Sequence, residues 1–276
     1  PKIDDDVARW IRACTVCNKR KTPRSLNSGN PAIVSDAKRR WQSLSIDLVE
    51  AGSTSLENYS YILTVIDLFS RYVIAIPLKS KKAKDVAEGL FTHVFAVHGR
   101  PESIRSDEGK EFVNAGLLRL YKHWNIKPIT TGGWRPWSNP VERYHRYLNT
   151  GMTILSSKFG EDWTSYLQAV VFSYNSSSCE STGFSPYYLM FGKDPTLLED
   201  IALNHVHDEQ KAEPIEDISN ITTRLAAAYK HVRSQQRRMA EINRERIAKK
   251  RGNAKAIEYK VDDTVMYWEP AQTKHL

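Results

Sequence analysis

The sequence predicts a mixed α/β domain around a five-stranded sheet, on three observations. Runs of β-branched and aromatic residues alternate with helix-period runs in one order: three strands, a helix, a strand, a helix, a strand, then helices. At 276 residues, 41% hydrophobic and 10% aromatic, the chain can bury one sizeable core with smaller attachments. No stretch approaches the ~18 apolar residues of a membrane span, and the N-terminus carries no secretory signal pattern.

The elements follow in order. "DDDVARWIRA" reads as a short acid-started helix leading into Cys14 and Cys17, and a polar Pro/Gly/Ser linker follows. "WQSLSIDLVE" is the first strand, expected to end near Asp47. "YSYILTVIDLFS" and "RYVIAIPLKS" meet at Ser70 and Arg71 closely enough to form a hairpin. "AKDVAEGLFTHVFAVHG" has helical spacing and stops at Gly99; "SIRSD" is a short fourth strand ending at Asp107. "AGLLRLYKHWN" is a helix, "IKPIT" a fifth strand, and "DWTSYLQAVVFSYNSS" an amphipathic helix. "GFSPYYLMFGKDP" is expected to fold back on the domain, 200–220 to be an acidic loop, and "EYKVDDTVMYW" to open a small β module. The chain starts at Pro1 and stops after "TKHL", and is expected to be a piece of something longer.

The net charge of +8 is unevenly spread. Residues 221–255 hold eleven Lys/Arg against two Glu (11 − 2 = +9), so the basicity is that of one arm and the remainder is near neutral. Such an arm suits a phosphate backbone; the other reading is a solvated helix face. Three cysteines exclude a disulfide framework and favour a reducing compartment. Cys14 and Cys17 form CxxC, which is half a zinc site or a redox pair; any further ligands would precede Pro1.

Three acids sit where an α/β sheet places its functional crevice. Asp47 and Asp107 come at strand ends, and Glu142 opens the helix of "RPWSNPVERYHRYLN". Gathered together, three carboxylates would repel unless a cation neutralised them. An all-oxygen set with no His or Cys nearby favours Mg²⁺ or Mn²⁺, and two such ions about 3.5–4 Å apart can activate an attacking oxygen and stabilise a leaving one at a phosphodiester. Each acid also has a local reading. Asp47 is a solvated strand end, Asp107 a turn residue before Gly109, and Glu142 the third helical position after Asn139 and Pro140. Asp67 in "VIDLFS" competes with Asp47 but sits in a hairpin and ranks second.

The motifs "SIDLVE", "ILTVIDLFSRYVIAIPL", "IRSDEGKEF", "WSNPVERYHRYLN" and "TGFSPYYLMFG" together resemble the integrases of retroviruses and gypsy-type long-terminal-repeat retrotransposons. The resemblance implies a ribonuclease-H-like DDE core with Asp47, Asp107 and Glu142 as catalytic and metal-binding residues. It divides the chain into the end of a His-His-Cys-Cys zinc domain (1–20, holding Cys14 and Cys17), a linker (21–40) and a catalytic core (41–200). An acidic loop and basic linker helix (201–255) and the start of an SH3-like module (256–276) follow. The spacing departs in one place. Between Asp107 and Glu142 lie 142 − 107 − 1 = 34 residues, one fewer than usual, because a Gly-x pair before the helix is replaced by Pro140.

The activity implied is metal-dependent 3′-end processing and strand transfer of element DNA into host DNA, with Mg²⁺ or Mn²⁺, and with Zn²⁺ where the missing N-terminal ligands are present. The partners implied are element ends and target duplex, held by a homo-oligomer in the nucleus, with the chain made within a longer polyprotein. Arg143 and Arg146 follow Glu142 and are expected to touch DNA, Arg146 being on the same helical face; Arg237, Arg238, Lys249, Lys250 and Arg251 are expected to do so from the basic arm. The alternatives are a catalytically silent, host-adopted DNA-binding relative, and a DDE transposase or ribonuclease-H-like nuclease.

Overall fold

A computed structural model describes residues 37–197, apart from 108, 131–139 and 160–161, together with the helix at 214–250 and the isolated positions Ile3 and Val7. Five strands form one sheet: β1 (Ser43–Glu50), β2 (Tyr61–Asp67), β3 (Val73–Leu78), β4 (Ser103–Ser106) and β5 (Lys127–Thr130), in the order β3-β2-β1-β4-β5. β1 to β3 are an antiparallel meander, while β4 and β5 join parallel to β1 through helical crossovers. The helices are α1 (Ala83–Leu90), α2 (Ala115–His123), α3 (Pro140–Phe159), α4 (Thr164–Ser176), α5 (Pro186–Phe191) and α6 (Pro214–Lys250). α1 continues through a π-helical segment (Phe91–Phe95) and a last α turn to His98, and stops at Gly99 with φ +79°.

The period-2 alternation of the central strands divides the core between the two sheet faces. Leu44, Ile46, Leu63, Val65, Ile76 and Leu78 pack under α1 and α2. Ile62, Ile66, Val73 and Ala75 pack under Val141, Tyr144 and Leu148 of α3 and Leu167, Val170 and Val171 of α4. Each fully buried Leu or Ile contributes about 1.5–3 kcal/mol by leaving water. The outer edge of β3 is covered by α4: Asn175 accepts from the Val73 N–H and donates to the Val73 carbonyl, and Gln168 donates to the Ala75 carbonyl.

Three sequence-based expectations need correction. β1 does not end near Asp47 but runs to Glu50, because β2 pairs with it as far as Tyr61. The stretch 200–220 is not all loop, since α6 begins at Pro214. Nor is the basic segment a free arm along its whole length. Its apolar side, with Tyr229 and Val232, docks on the domain together with Ala228. Ala228 and Val232 are buried against Ala37, Leu68, Phe69 and Leu189. Tyr229 meets Phe69 edge-on and donates to the Leu189 carbonyl at 2.9 Å. "GFSPYYLMFGKDP" does fold back, as α5 and its capping turns. Cys14, Cys17 and Arg251, with the zinc-domain and SH3-like assignments, lie outside the described residues.

Candidate active site

Asp47 lies on the α3 face of the sheet. It pairs with Thr64 of β2, between neighbours Ile46 and Leu48 that belong to the opposite face. β1 and β4 run parallel with a constant offset, from Ser43 opposite Ser103 to Ser45 opposite Arg105 (103 − 43 = 60). Carried two residues further, that offset sets Asp47 level with Asp107, one residue past the end of β4. Neighbouring strands lie about 4.8 Å apart, so the register brings positions 47 and 107 toward the same end of the sheet. Asp107 is exposed, and its Oδ1 accepts from the Gly109 N–H at 3.0 Å, so the turn reading of this residue holds alongside any other role.

α3 crosses above β1 and β2, anchored by Val141, Tyr144 and Leu148. Its first turn holds the Glu142 backbone at the third helical position, with Pro140 at the start; the Glu142 side chain lies outside the described residues. One turn on, His145 comes down onto the sheet. Its Nε2 is 3.2 Å from Thr64 Oγ1 and its Nδ1 is 3.8 Å from Asp47 Oδ2. The two side chains are 14% exposed for His145 and 23% for Asp47. Burial pushes the imidazole down to about 4, so it is neutral near pH 7. Asp47 Oδ1 accepts from the Leu48 N–H at 2.9 Å.

The expectation that no His stands near the acids is therefore corrected. The signal was present in the sequence, since His145 follows Glu142 by three residues on a helix. Its Nε2 is engaged by Thr64, and the donors expected from the sequence are carboxylates, a set that fits a hard divalent cation. Among the described side chains no group of three metal-binding residues is gathered.

Asp67, the rival acid, is fully buried in the β2–β3 hairpin. It accepts from the Trp41 N–H at 3.1 Å and from the Ser70 N–H and hydroxyl at 2.9 and 2.6 Å. Burial raises its carboxyl above the usual range against the pull of those donors. Its role is to brace the turn. Arg143 and Arg146 are both exposed on α3, and Arg143 lies within electrostatic reach of Arg71 and Tyr174. Arg237 and Arg238 are exposed on α6, whereas Lys249 and Lys250 are described only as helical backbone. Along α3 from Leu148 to Ser156, a cavity of about 750 Å³ opens against residues 49–54 and Trp163.

A family model described as "Integrase core domain" matches residues 37–136, taking in Asp47 and Asp107 and stopping before α3. The chain is 30% identical over 226 residues to the Retrovirus-related Pol polyprotein from transposon 412 of Drosophila melanogaster, covering 80% of this chain and 18% of that one. It is 28% identical over 204 residues to Gypsy retrotransposon integrase-like protein 1 of Rattus norvegicus, covering 71% of this chain and 38% of that protein. It thus spans well under half the length of these curated relatives. Among solved structures, a simian T-cell lymphotropic virus intasome in complex with PP2A regulatory subunit B56 gamma matches with a TM-score of 0.53 at 16% identity. That match covers 76% of this chain and 70% of the other, a likeness of fold. The meander followed by two parallel crossovers is accordingly the ribonuclease-H-like arrangement, and residues 37–136 match the integrase core domain, with similarity to gypsy-type and retrovirus-related relatives.

Proposed function

We propose that the chain is a polynucleotidyl transferase that trims the ends of an element's DNA and joins them to host DNA, with Asp47, Asp107 and Glu142 as its catalytic carboxylates. The observation that supports the reading is that His145, one turn beyond Glu142 on α3, stands 3.8 Å from Asp47, whose strand runs parallel to the one that ends just before Asp107. The three acids would hold Mg²⁺ or Mn²⁺, which when bound supplies Lewis-acid activation of the attacking and leaving oxygens at a phosphodiester. The chain's own part is to fix the donors: Asp47 on a paired strand, Asp107 at a strand end, Glu142 on a helix packed down by Val141, Tyr144 and Leu148.

No covalent protein–DNA intermediate is required, so no nucleophilic Ser, Tyr or Cys is assigned. Arg143 and Arg146 would take phosphates beside the acids. Arg237 and Arg238, exposed on α6, with Lys249, Lys250 and Arg251 after them in the sequence, would add sequence-independent affinity. Cys14 and Cys17 would contribute to a zinc site once further ligands complete it. Action on chromosomal DNA in the nucleus, as a homo-oligomer released from a longer polyprotein, completes the proposal.

The test is a strand-transfer assay on the full-length protein with generic donor ends, in Mg²⁺ and in Mn²⁺. Joined products should appear with the native protein and vanish with Glu142→Gln. Products undiminished in that variant would leave Glu142 a helix-starting residue and remove it from the proposed site. The basic helix has its own readout, because the log–log salt slope of non-specific duplex binding is about −0.9 per phosphate neutralised. Replacing Arg237, Arg238, Lys249, Lys250 and Arg251 with Gln should flatten that slope by several units on unrelated duplexes alike. An unchanged slope would make this face a solvated spacer.

A further inference from the structure

We infer that His145 is a positioning residue: pinned to the sheet by Thr64, it fixes the orientation of the Asp47 carboxylate and the seating of the helix start that carries Glu142. This rests on the reading of Asp47 as a catalytic carboxylate, and three observations carry it.

Thr64 is fully buried and sits directly opposite Asp47 in the β1–β2 register, so its hydroxyl stands on the same face at the same level. His145 reaches that hydroxyl with Nε2 at 3.2 Å and presents Nδ1 to Asp47 Oδ2 at 3.8 Å. The ring thus spans from the helix to both antiparallel strands at the height of the acids. Asp47 itself is bounded from two sides, Oδ1 by the Leu48 N–H at 2.9 Å and Oδ2 by the imidazole.

The tautomer follows from the surroundings. If Nε2 carried the proton and donated to Thr64, the bare lone pair of Nδ1 would face an anionic carboxylate. With the Thr64 hydroxyl donating to Nε2, the proton resides on Nδ1 and its dipole points at Asp47. A contact of 3.8 Å is too long for a direct hydrogen bond. It acts as a charge–dipole contact and as a steric stop that keeps Oδ2 from swinging toward α3. Partners of this kind behind a ligand typically tune affinity or activity by about 10–100-fold.

The test uses the full-length protein with four variants, His145→Ala, His145→Asn, Thr64→Val and Thr64→Ser. The readouts are Mn²⁺ affinity measured by electron paramagnetic resonance without DNA, single-turnover strand transfer at saturating DNA, and DNA affinity. His145→Ala and Thr64→Val should each weaken Mn²⁺ binding and slow the single-turnover rate by about 10–100-fold, with DNA affinity unchanged. His145→Asn, which restores an N–H donor, and Thr64→Ser, which restores the hydroxyl, should recover most of the loss. Should His145→Ala fail to fold, the Val and Ser pair at Thr64 decides alone. Mn²⁺ affinity unmoved by His145→Ala or Thr64→Val, or an Asn or Ser variant no better than its partner, would overturn the inference. Asp47→Asn separates the two levels. If it is inactive while His145→Ala is native-like, the positioning role alone fails; if Asp47→Asn is fully active, the catalytic reading beneath it fails.

Discussion

The β1–β2 pair carries two aspartates, one at its closed hairpin end and one in the more open middle of β1. At the closed end Asp67 is fully buried, takes hydrogen bonds from Trp41 and Ser70, and lies beneath a cluster of Leu68, Phe69, Ala228 and Val232. In the middle of β1, Asp47 keeps some exposure and faces His145 across 3.8 Å. The residue type is the same, and the strand pair is the same. What differs is who answers the charge. Asp67 is met by donors of its own hairpin and of Trp41, so its carboxylate belongs to the fold. Asp47 is met by the Leu48 N–H and the His145 ring, and in the proposed site its charge would be answered by a bound cation.

The sharpest way to break the comparison is to exchange the consequences of losing each acid. Asp107→Asn should cut strand transfer by on the order of 10³-fold while leaving the urea midpoint where it is. Asp67→Ala should do the reverse, lowering the unfolding free energy by about 3 kcal/mol because buried donors lose their acceptor. Activity per folded molecule should then be retained. If Asp67→Ala instead spares stability and abolishes transfer, the roles assigned to the two acids are inverted.

A smaller effect tests how α6 closes its end. Gly192 has φ +85°, and a Cβ there would come within 2.9 Å of Ile221 and 3.0 Å of Leu225 on α6. Gly192→Ala should cost about 1–2 kcal/mol in strain, and its signature should be faster amide exchange along α6 with the β1–β2 amides unaffected. Uniform loss of protection over the whole domain would mean that α6 and the sheet unfold as one unit.

The smallest effect concerns pH. Burial holds the folded Asp67 carboxyl above its unfolded value, so between the two values the folded state binds more protons and stability falls as pH rises. The unfolding free energy of the native protein relative to Asp67→Asn should therefore decline as pH climbs through and above the ordinary carboxylate range, and level off once Asp67 is ionised in both states. A difference that grows with pH would show that the Ser70 and Trp41 donors outweigh desolvation.

Much of this was legible in the chain itself. Strand and helix periods placed all five strands and the helices between them in order, and the Ser70–Arg71 junction marked the hairpin. These signals are local: side-chain alternation and capping act over a few residues, and neighbours along the chain determine them. The acids at 47 and 107 and the basic bias of 221–255 were equally visible, because charge and composition need no fold.

Other features required distant parts of the chain to meet. That β1 outlasts Asp47 depends on Tyr61 and Ile62 pairing with Glu50 and Val49. That the strand carrying Asp47 lies beside the one leading to Asp107 depends on a parallel pairing between strands separated by a meander and a helix. Asp67 and Asp47 look alike as "VID" and "SID" in the sequence. They part company because Trp41 and the docked α6 cover one and not the other. His145 was an ordinary polar residue on a helix until the crossing of α3 over β1 and β2 lowered it between Thr64 and Asp47. Periodicity specifies which face an element turns inward; only packing among elements decides which side chains meet there, since that depends on crossing angles and registers no local window contains.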